Sequence, residues 1–339
     1  MRERLPTHTT ATRLGRLPPR STARRADGQR GARYCSPPWS YTAPVKYIAA
    51  PPGTCAPGGK PPHCTEPAPP LFAQSHGSYR FQMTNMGSDA LVVLFSCGER
   101  SEWCIKEFSV LATAVVPFAD KDLPRGVHVA RAAQPNQLRI SWASPHNDSQ
   151  HVRWNLPGGP VQQSPPALAT TYTQDDVCGV PASTHGWNSP QWLHSAVLTL
   201  PNDAGSRWLS YSVGSDASGW AAANSFKAPR QPDPEAPLVV IAYADLGYGN
   251  PDGAQGHMVY PNSSRTTTHA TKFVEELGSA DLVLHNGDIA YATGYLTLWE
   301  RFMSQISPMA SRNPHEHLLC VALCCADDLR LRCGQDCPT

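Results

Sequence analysis

Two apolar runs in this chain end in the same way. Pro237-Leu238-Val239-Val240-Ile241-Ala242-Tyr243-Ala244 leads into Asp245-Leu246-Gly247, and Leu282-Val283-Leu284-His285-Asn286 leads into Gly287-Asp288. Each is of strand length, and each stops at residues that turn a chain. A loop over 249–264 and a helix over 266–277 separate them. Phe273, Val274 and Leu277 fall on one face of that helix, and Gly278 stands at its C-cap position. Strand, helix and strand in this order predict a parallel βαβ unit closed with a right-handed crossover. Parallel sheets place ligands outside the carboxyl ends of their strands. Asp245 and Asp288 then reach one sheet edge together, where two carboxylates can hold a hard cation. Either Asp alone also suits a turn at a strand end. The pair, with Tyr291 three residues past the second, goes beyond that pattern.

These residues carry a resemblance. Asp245-Leu246-Gly247 and Gly287-Asp288-Ile289-Ala290-Tyr291 resemble the first two metal motifs of the purple acid phosphatases, within the calcineurin-like metallophosphoesterases. Ala292-Thr293-Gly294-Tyr295-Leu296-Thr297-Leu298-Trp299-Glu300-Arg301-Phe302 and Ile306-Ser307-Pro308-Met309-Ala310-Ser311 are similar to the segment that follows there. Ala244 stands where that family carries Gly before the first Asp. The resemblance implies acid phosphatase activity, the hydrolysis of phosphate esters at a binuclear centre with a metal-bound hydroxide as nucleophile. It implies Fe(III) plus a divalent Zn, Mn or Fe. Asp245 and Tyr291 would bind the ferric ion, giving a purple tyrosinate complex, and Asp288 would bridge both metals. A phosphate ester as substrate, a homodimer and secretion are expectations of the same kind, with neither nucleic acid nor membrane as a partner.

The remaining chain supports a multidomain β plus α/β architecture. Its 339 residues are enough for about two to three domains. With 34 Pro and 16% charged residues, strands and loops are favoured over long surface helices. Residues 1–44 form an Arg- and Pro-rich leader. Arg2, Arg4, Arg13, Arg16, Arg20, Arg24, Arg25, Arg30 and Arg33 face only Glu3 and Asp27 over residues 1–33. That composition fits a disordered leader first, and an organelle transit peptide or a nucleic-acid arm second; it lacks the apolar region of a secretory signal. Residues 35–70 are Pro- and Gly-rich linker, with Cys55 and Cys64 either bridged or free. Val45-Lys46-Tyr47 reads as a short first strand. Residues 45–122 are expected to form a small β-sandwich, in which a hairpin pairs Tyr79-Arg80-Phe81-Gln82-Met83 with the apolar run 90–95 across Asn85-Met86-Gly87-Ser88-Asp89. Cys97 and Cys104 are close enough to bridge locally.

Residues 123–229 read as a second sandwich, of fibronectin type III kind. Leu138, Ile140 and Trp142 alternate inward, His151-Val152-Arg153-Trp154 and 208–214 are further strands, and the Trp residues supply the core. Cys178-Gly179-Val180-Pro181-Ala182, Gly186-Trp187 and Trp192-Leu193-His194 resemble the sandwich that precedes the catalytic domain in the same family. Residues 230–237 form a stiff linker. Residues 238–314 are the first part of a metallophosphoesterase domain, expected to expose a long apolar edge. Residues 315–339 form a divergent tail. It reads His315-Glu316-His317-Leu318-Leu319-Cys320 where the family would continue into Gly-Asn-His-Glu, and so omits the later Asn and His ligands. An altered reading frame explains the change better than a zinc site of the tail cysteines with His315 and His317, because no Cys-x-x-Cys pair occurs.

Other functions were weighed. The net charge of +1 argues against polyanion binding by the whole chain, and no apolar run is long enough to span a membrane. There is no Gly-x-Ser-x-Gly elbow for a serine hydrolase. Asp245-Leu246-Gly247-Tyr248-Gly249-Asn250-Pro251-Asp252-Gly253 is a weak phosphate-loop candidate, since no Gly-Lys-Ser/Thr follows. A non-catalytic binding protein built on the two sandwiches is the alternative to hydrolysis. His257, His269 and His285 read as loop or sheet-edge histidines rather than ligands. Asn147 and Asn262 open glycosylation sequons.

Overall fold

A computed structural model describes residues 82–97, 100–101, 104–105, 108–230, 233–251, 259–260 and 262–318. The leader, the strand expected at Val45, His257 and the tail cysteines lie outside the described residues. What is described is mostly β-sheet with two α-helices. Among the described residues no helix is long and apolar enough to cross a membrane.

β1 (Ala90–Cys97) pairs antiparallel with β4 (Phe108–Val116), with a bulge at Leu94/Phe95, and the short strands β2 (Arg100–Ser101) and β3 (Cys104–Ile105) pair between them. Residues 79–81 of the expected hairpin lie outside the described residues; Gln82 and Met83 are outside any strand, and the partner of β1 among the described residues is β4. The turn residues at 85–89 are used otherwise. Asn85 Nδ2 donates to Asp120 O at 2.7 Å, and Gln191 Nε2 donates to Gly87 O at 3.0 Å. Those bonds dock the segment onto the neighbouring sandwich. No sandwich forms around the ribbon among the described residues: Leu91, Leu94, Leu111 and Val115 are all more than half exposed. A two-stranded ribbon has no second layer to bury them against.

The next unit is two antiparallel sheets around one core. One contains β5 (Arg125–Arg131), β6 (Gln137–Ser144), β10 (Trp192–Thr199) and β9 (Leu168–Thr170), in that spatial order. The other runs β12 (Gly219–Trp220), β11 (Trp208–Ser215), β7 (His151–Asn155) and β8 (Gln162–Gln163), with β13 (Asn224–Lys227) also on β11. Val129, Leu138, Ile140 and Trp142 of the first sheet meet Val152, Leu209, Val213 and Phe226 of the second. The period-two alternation read at Leu138, Ile140 and Trp142 is observed, with all three buried. The expectation that Trp supplies the core holds for Trp142, whose indole N–H donates to Gln150 Oε1 at 2.7 Å, and in part for Trp154, which is half-buried against the same cluster. Trp208 is on the outward face, since Leu209 takes the inward phase of β11. Trp220 lies beneath the Arg153 guanidinium, 3.9 Å from ring centroid to Cζ.

The last unit is a parallel sheet in the order β14 (Val240–Ala244), β15 (Leu282–Asn286), β16 (His315–Leu318). Its crossovers carry α1 (Ser263–Leu277) and α2 (Thr297–Ala310). α1 begins three residues earlier than expected and stops at Gly278, whose φ is 85°. Val274 packs with Ala280, Val283 and Met309, whereas Phe273 and Leu277 are half exposed. Beside them is β14, the edge strand of this sheet among the described residues. The strand β16 lies inside the segment set apart as a divergent tail. His315 is buried there with Nε2 3.1 Å from Tyr243 Oη, so it belongs to the sheet's packing rather than to a cysteine cluster.

The segment read as a stiff linker is bound in place. Arg230 pairs with Asp281 at 3.2 Å and also donates to the carbonyls of Ala236 and Pro237. Sandwich and α/β unit share further bonds: Tyr211 Oη donates to Ser311 O at 2.7 Å, and Glu316 Oε1 accepts the Arg131 N–H at 2.6 Å.

Candidate metal centre

The parallel register sets Ala244 beside Asn286, so the two strands end level. The residues after them turn sharply. Asp245 has φ 51°, Gly247 64°, Gly287 69° and Tyr291 47°. Asp tolerates that left-handed region, and Gly does so readily, but an aromatic side chain there is uncommon. Ala244 stays in the strand, so the side chain that replaces Gly meets no backbone obstacle.

The turns bring three oxygen donors together. The Asp288 N–H donates to Asp245 Oδ1 at 2.9 Å. The Tyr291 phenol lies near enough to the Asp288 carboxylate for that charge to disfavour its ionisation. Burial, with the negative charges of Asp288 and Asp245 behind it, pushes the Tyr291 phenol up to about 12. A Cβ added at Gly287 would sit 2.6 Å from Asp245 Oδ1, so a side chain at that position would displace the carboxylate. Two carboxylates and a phenol are hard donors of the kind a ferric ion takes. A cation among them would reverse the electrostatics that now hold Tyr291 protonated. Among the described residues there is no group of three or more His, Cys, Asp or Glu placed to hold a metal.

The loops are held from below by α2. Gln305 Oε1 accepts the Gly249 N–H at 2.9 Å, and its Nε2 donates to Gly247 O at 3.2 Å. Arg301 is buried on the same helix, 4.2 Å from the Tyr248 ring centroid and hydrogen bonded to Asn250 Oδ1. The Gly247 N–H is taken by Ile289 O at 2.8 Å. The Gly247 and Gly249 amides of the phosphate-loop candidate are thus committed to protein partners.

His285 departs from its reading as a sheet-edge residue. It is fully buried on β15, its Nε2 3.1 Å from Asp288 O, with Tyr243 and Phe302 against its ring. Burial lowers its pKa, which keeps the ring neutral and makes Nε2–H the donor to that carbonyl. His269 is exposed on α1, away from the centre.

No family model matches the chain. Three Arabidopsis thaliana proteins named probable inactive purple acid phosphatases 1, 24 and 27 are 29%, 28% and 27% identical to it, over 70%, 80% and 82% of this chain. A nucleotide pyrophosphatase/phosphodiesterase of Hordeum vulgare is 34% identical over 36% of the chain. The solved purple acid phosphatase from yellow lupin (Lupinus luteus) seeds superposes with a TM-score of 0.64 at 26% identity, covering 72% of this chain and 42% of that one. These likenesses support a purple acid phosphatase family assignment. The chain spans 38%, 46% and 43% of the lengths of those three Arabidopsis purple acid phosphatases.

In this chain the two acidic motifs were readable because their chemistry is local. Arg301, Gln305 and Tyr260 were not singled out. Arg301 and Gln305 had a signal, as polar residues one turn apart on a helix whose apolar stripe runs Leu298, Phe302, Ile306, Met309. Tyr260 had none, since it precedes α1 in an otherwise unpatterned loop.

Proposed function

We propose that this chain carries the ferric half of the metal centre of a phosphate ester hydrolase, with Asp245, Asp288 and Tyr291 as ligands of a ferric ion and Asp288 as the one that a divalent ion would share. The observation that carries the reading is the convergence of these three side chains at the carboxyl ends of β14 and β15. When bound, such ions supply Lewis-acid polarisation of the phosphoryl oxygens and an acidified water. The chain's own residues have separate tasks. Asp245 orients the Asp288 backbone by accepting its N–H, and the Asp288 carboxylate lies beside the Tyr291 phenol. His285 fixes the Asp288 carbonyl from the core side.

The described residues supply donors for one ion. The relatives' printed names and this donor set together support a chain that binds a single ferric ion and hydrolyses phosphate esters weakly or not at all by itself. A binding protein built on the sandwiches has no comparable site in its favour. Secretion and a homodimer are carried over as family expectations, to be tested by glycan analysis at Asn147 and Asn262, both exposed, and by sedimentation.

The test is hydrolysis of an aryl phosphate and a nucleotide pyrophosphate by the purified chain, supplied with ferric iron and zinc and compared with Asp288→Ala. The expected result is ferric binding by the parent, absent in Asp288→Ala, with little turnover. Robust turnover that Asp288→Ala abolishes would show that the chain completes a second metal site. Equal ferric binding by both proteins would remove the proposed centre.

A further inference from the structure

Tyr260 stands where the two ligand loops meet, although it belongs to neither. It lies in the crossover ahead of α1. Its N–H donates to Tyr248 O at 2.7 Å, and its carbonyl accepts the Ser263 N–H at 2.9 Å, which fixes its backbone to the first ligand loop and to the first turn of the helix. Its ring rests on Gly247: a Cβ added there would come within 2.5 Å of Tyr260 Cδ2, and φ at Gly247 is 64°. The opposite contact is with Tyr291, ring centroids 4.6 Å apart and planes tilted by 34°. Tyr260 thus touches the residue two places after Asp245 and the phenol that follows Asp288.

This contact falls where the backbone most needs support. Tyr291 holds φ 47°, a conformation an aromatic residue leaves unless its surroundings retain it. The Asp288 carboxylate faces only the far end of the phenol. Stacking constrains the ring itself, and an offset aromatic pair favours a defined orientation.

We propose that Tyr260 is a positioning residue of the metal centre, its ring wedged between Gly247 and Tyr291 so that the Tyr291 phenol is kept directed at Asp288. The inference rests on the reading of Asp245, Asp288 and Tyr291 as ferric ligands. It assigns to Tyr260 the spacing between the two ligand loops, a role carried by its ring and not by its hydroxyl.

Two measurements on the full chain test it. The first uses no metal: the rate of Tyr291 nitration by tetranitromethane, followed by peptide mass spectrometry. Tyr260→Ala and Tyr260→Leu are expected to nitrate Tyr291 several-fold faster than the parent, and Tyr260→Phe at the parental rate; Leu retains volume over Gly247 should Ala fail to fold. An unchanged rate in Tyr260→Leu, with parental circular dichroism, overturns the proposal. The second measurement titrates ferric citrate and reads the tyrosinate-to-iron absorption band. Loss of an outer partner to a metal ligand weakens binding about 10–100-fold, and that loss is expected for Tyr260→Leu with a shifted band, while Tyr260→Phe restores both. If Tyr260→Phe is as weak as Tyr260→Leu, the hydroxyl is itself a donor and the positioning role falls. If the parent gives no band, the ferric reading fails, and the nitration rates still decide whether Tyr260 orders Tyr291.

Discussion

A Cβ at Gly287 would be placed almost on the carboxylate of Asp245, and the backbone there is left-handed as well. Gly287→Ala is therefore expected to remove ferric binding altogether and to destabilise the fold by about 1–2 kcal/mol, the cost of a left-handed non-Gly residue, readable by urea titration. A second residue sets a pH dependence away from the centre. His194 is almost fully buried on β10, stacked on Trp142 with centroids 5.5 Å apart, and its Nε2 bonds to His146 O at 3.0 Å. Burial lowers its pKa below the ordinary 6.5. A folded pKa below the unfolded one means that its contribution is complete above about pH 6.5 and is lost as pH falls through the folded value. Urea midpoints are expected to drop from pH 7 to 5, and His194→Gln is expected to flatten that slope. A slope identical in His194→Gln would assign the acid sensitivity elsewhere.

At the scale of the element, α2 does more than cover the sheet. Leu298, Phe302, Ile306 and Ala310 join Leu246, Ala290 and Ala292 in one apolar cluster, so the helix packs on the residues that flank the acidic motifs. Arg301 and Gln305 then tie the Asp245 loop to it. Arg301→Ala leaves a cavity and removes the contact with the Tyr248 ring; a loss of about 2–4 kcal/mol is expected from chemical denaturation. Ferric affinity is expected to fall with it, since the Asp245 loop loses a support. The helix α1 was legible because the 3.6-residue period and the cap at Gly278 are local signals, whereas α2 was not read as a helix. Which face of α1 is covered was not legible, because the exposure of Phe273 and Leu277 is set by what packs against them and not by their own spacing. The ribbon of β1 and β4 shows the same limit: the turn at 85–89 was visible, but its bonds to Asp120 and Gln191 were long-range.

At the scale of the whole molecule, the sandwich and the α/β unit are joined by a charge pair with little exposure. Arg125 of β5 meets Glu300 of α2 at 3.1 Å, its side chain 8% and the carboxylate 15% exposed, and Arg125 Nη1 also donates to Gln191 Oε1 at 2.6 Å. Removing one partner leaves the other desolvated, so Glu300→Ala is expected to destabilise by about 3 kcal/mol. The two units should still unfold in a single transition, because Tyr211 and Glu316 also cross the boundary. Two separated transitions in Glu300→Ala would instead make this pair the main tie. The sequence by itself determined the alternating strands of the sandwich, the strand–helix–strand order, and the two Asp and one Tyr at the strand ends. Each follows from period, turn chemistry or short spacing, all of which act between near neighbours. Only the tertiary structure decided that His315 belongs to a third parallel strand, that Arg230 is bound to Asp281 and to the carbonyls of Ala236 and Pro237, and that Arg301, Gln305, His285 and Tyr260 contact the loops carrying Asp245, Asp288 and Tyr291. Those roles arise from contacts between segments far apart in the chain, and such contacts leave no periodic trace in the order of residues.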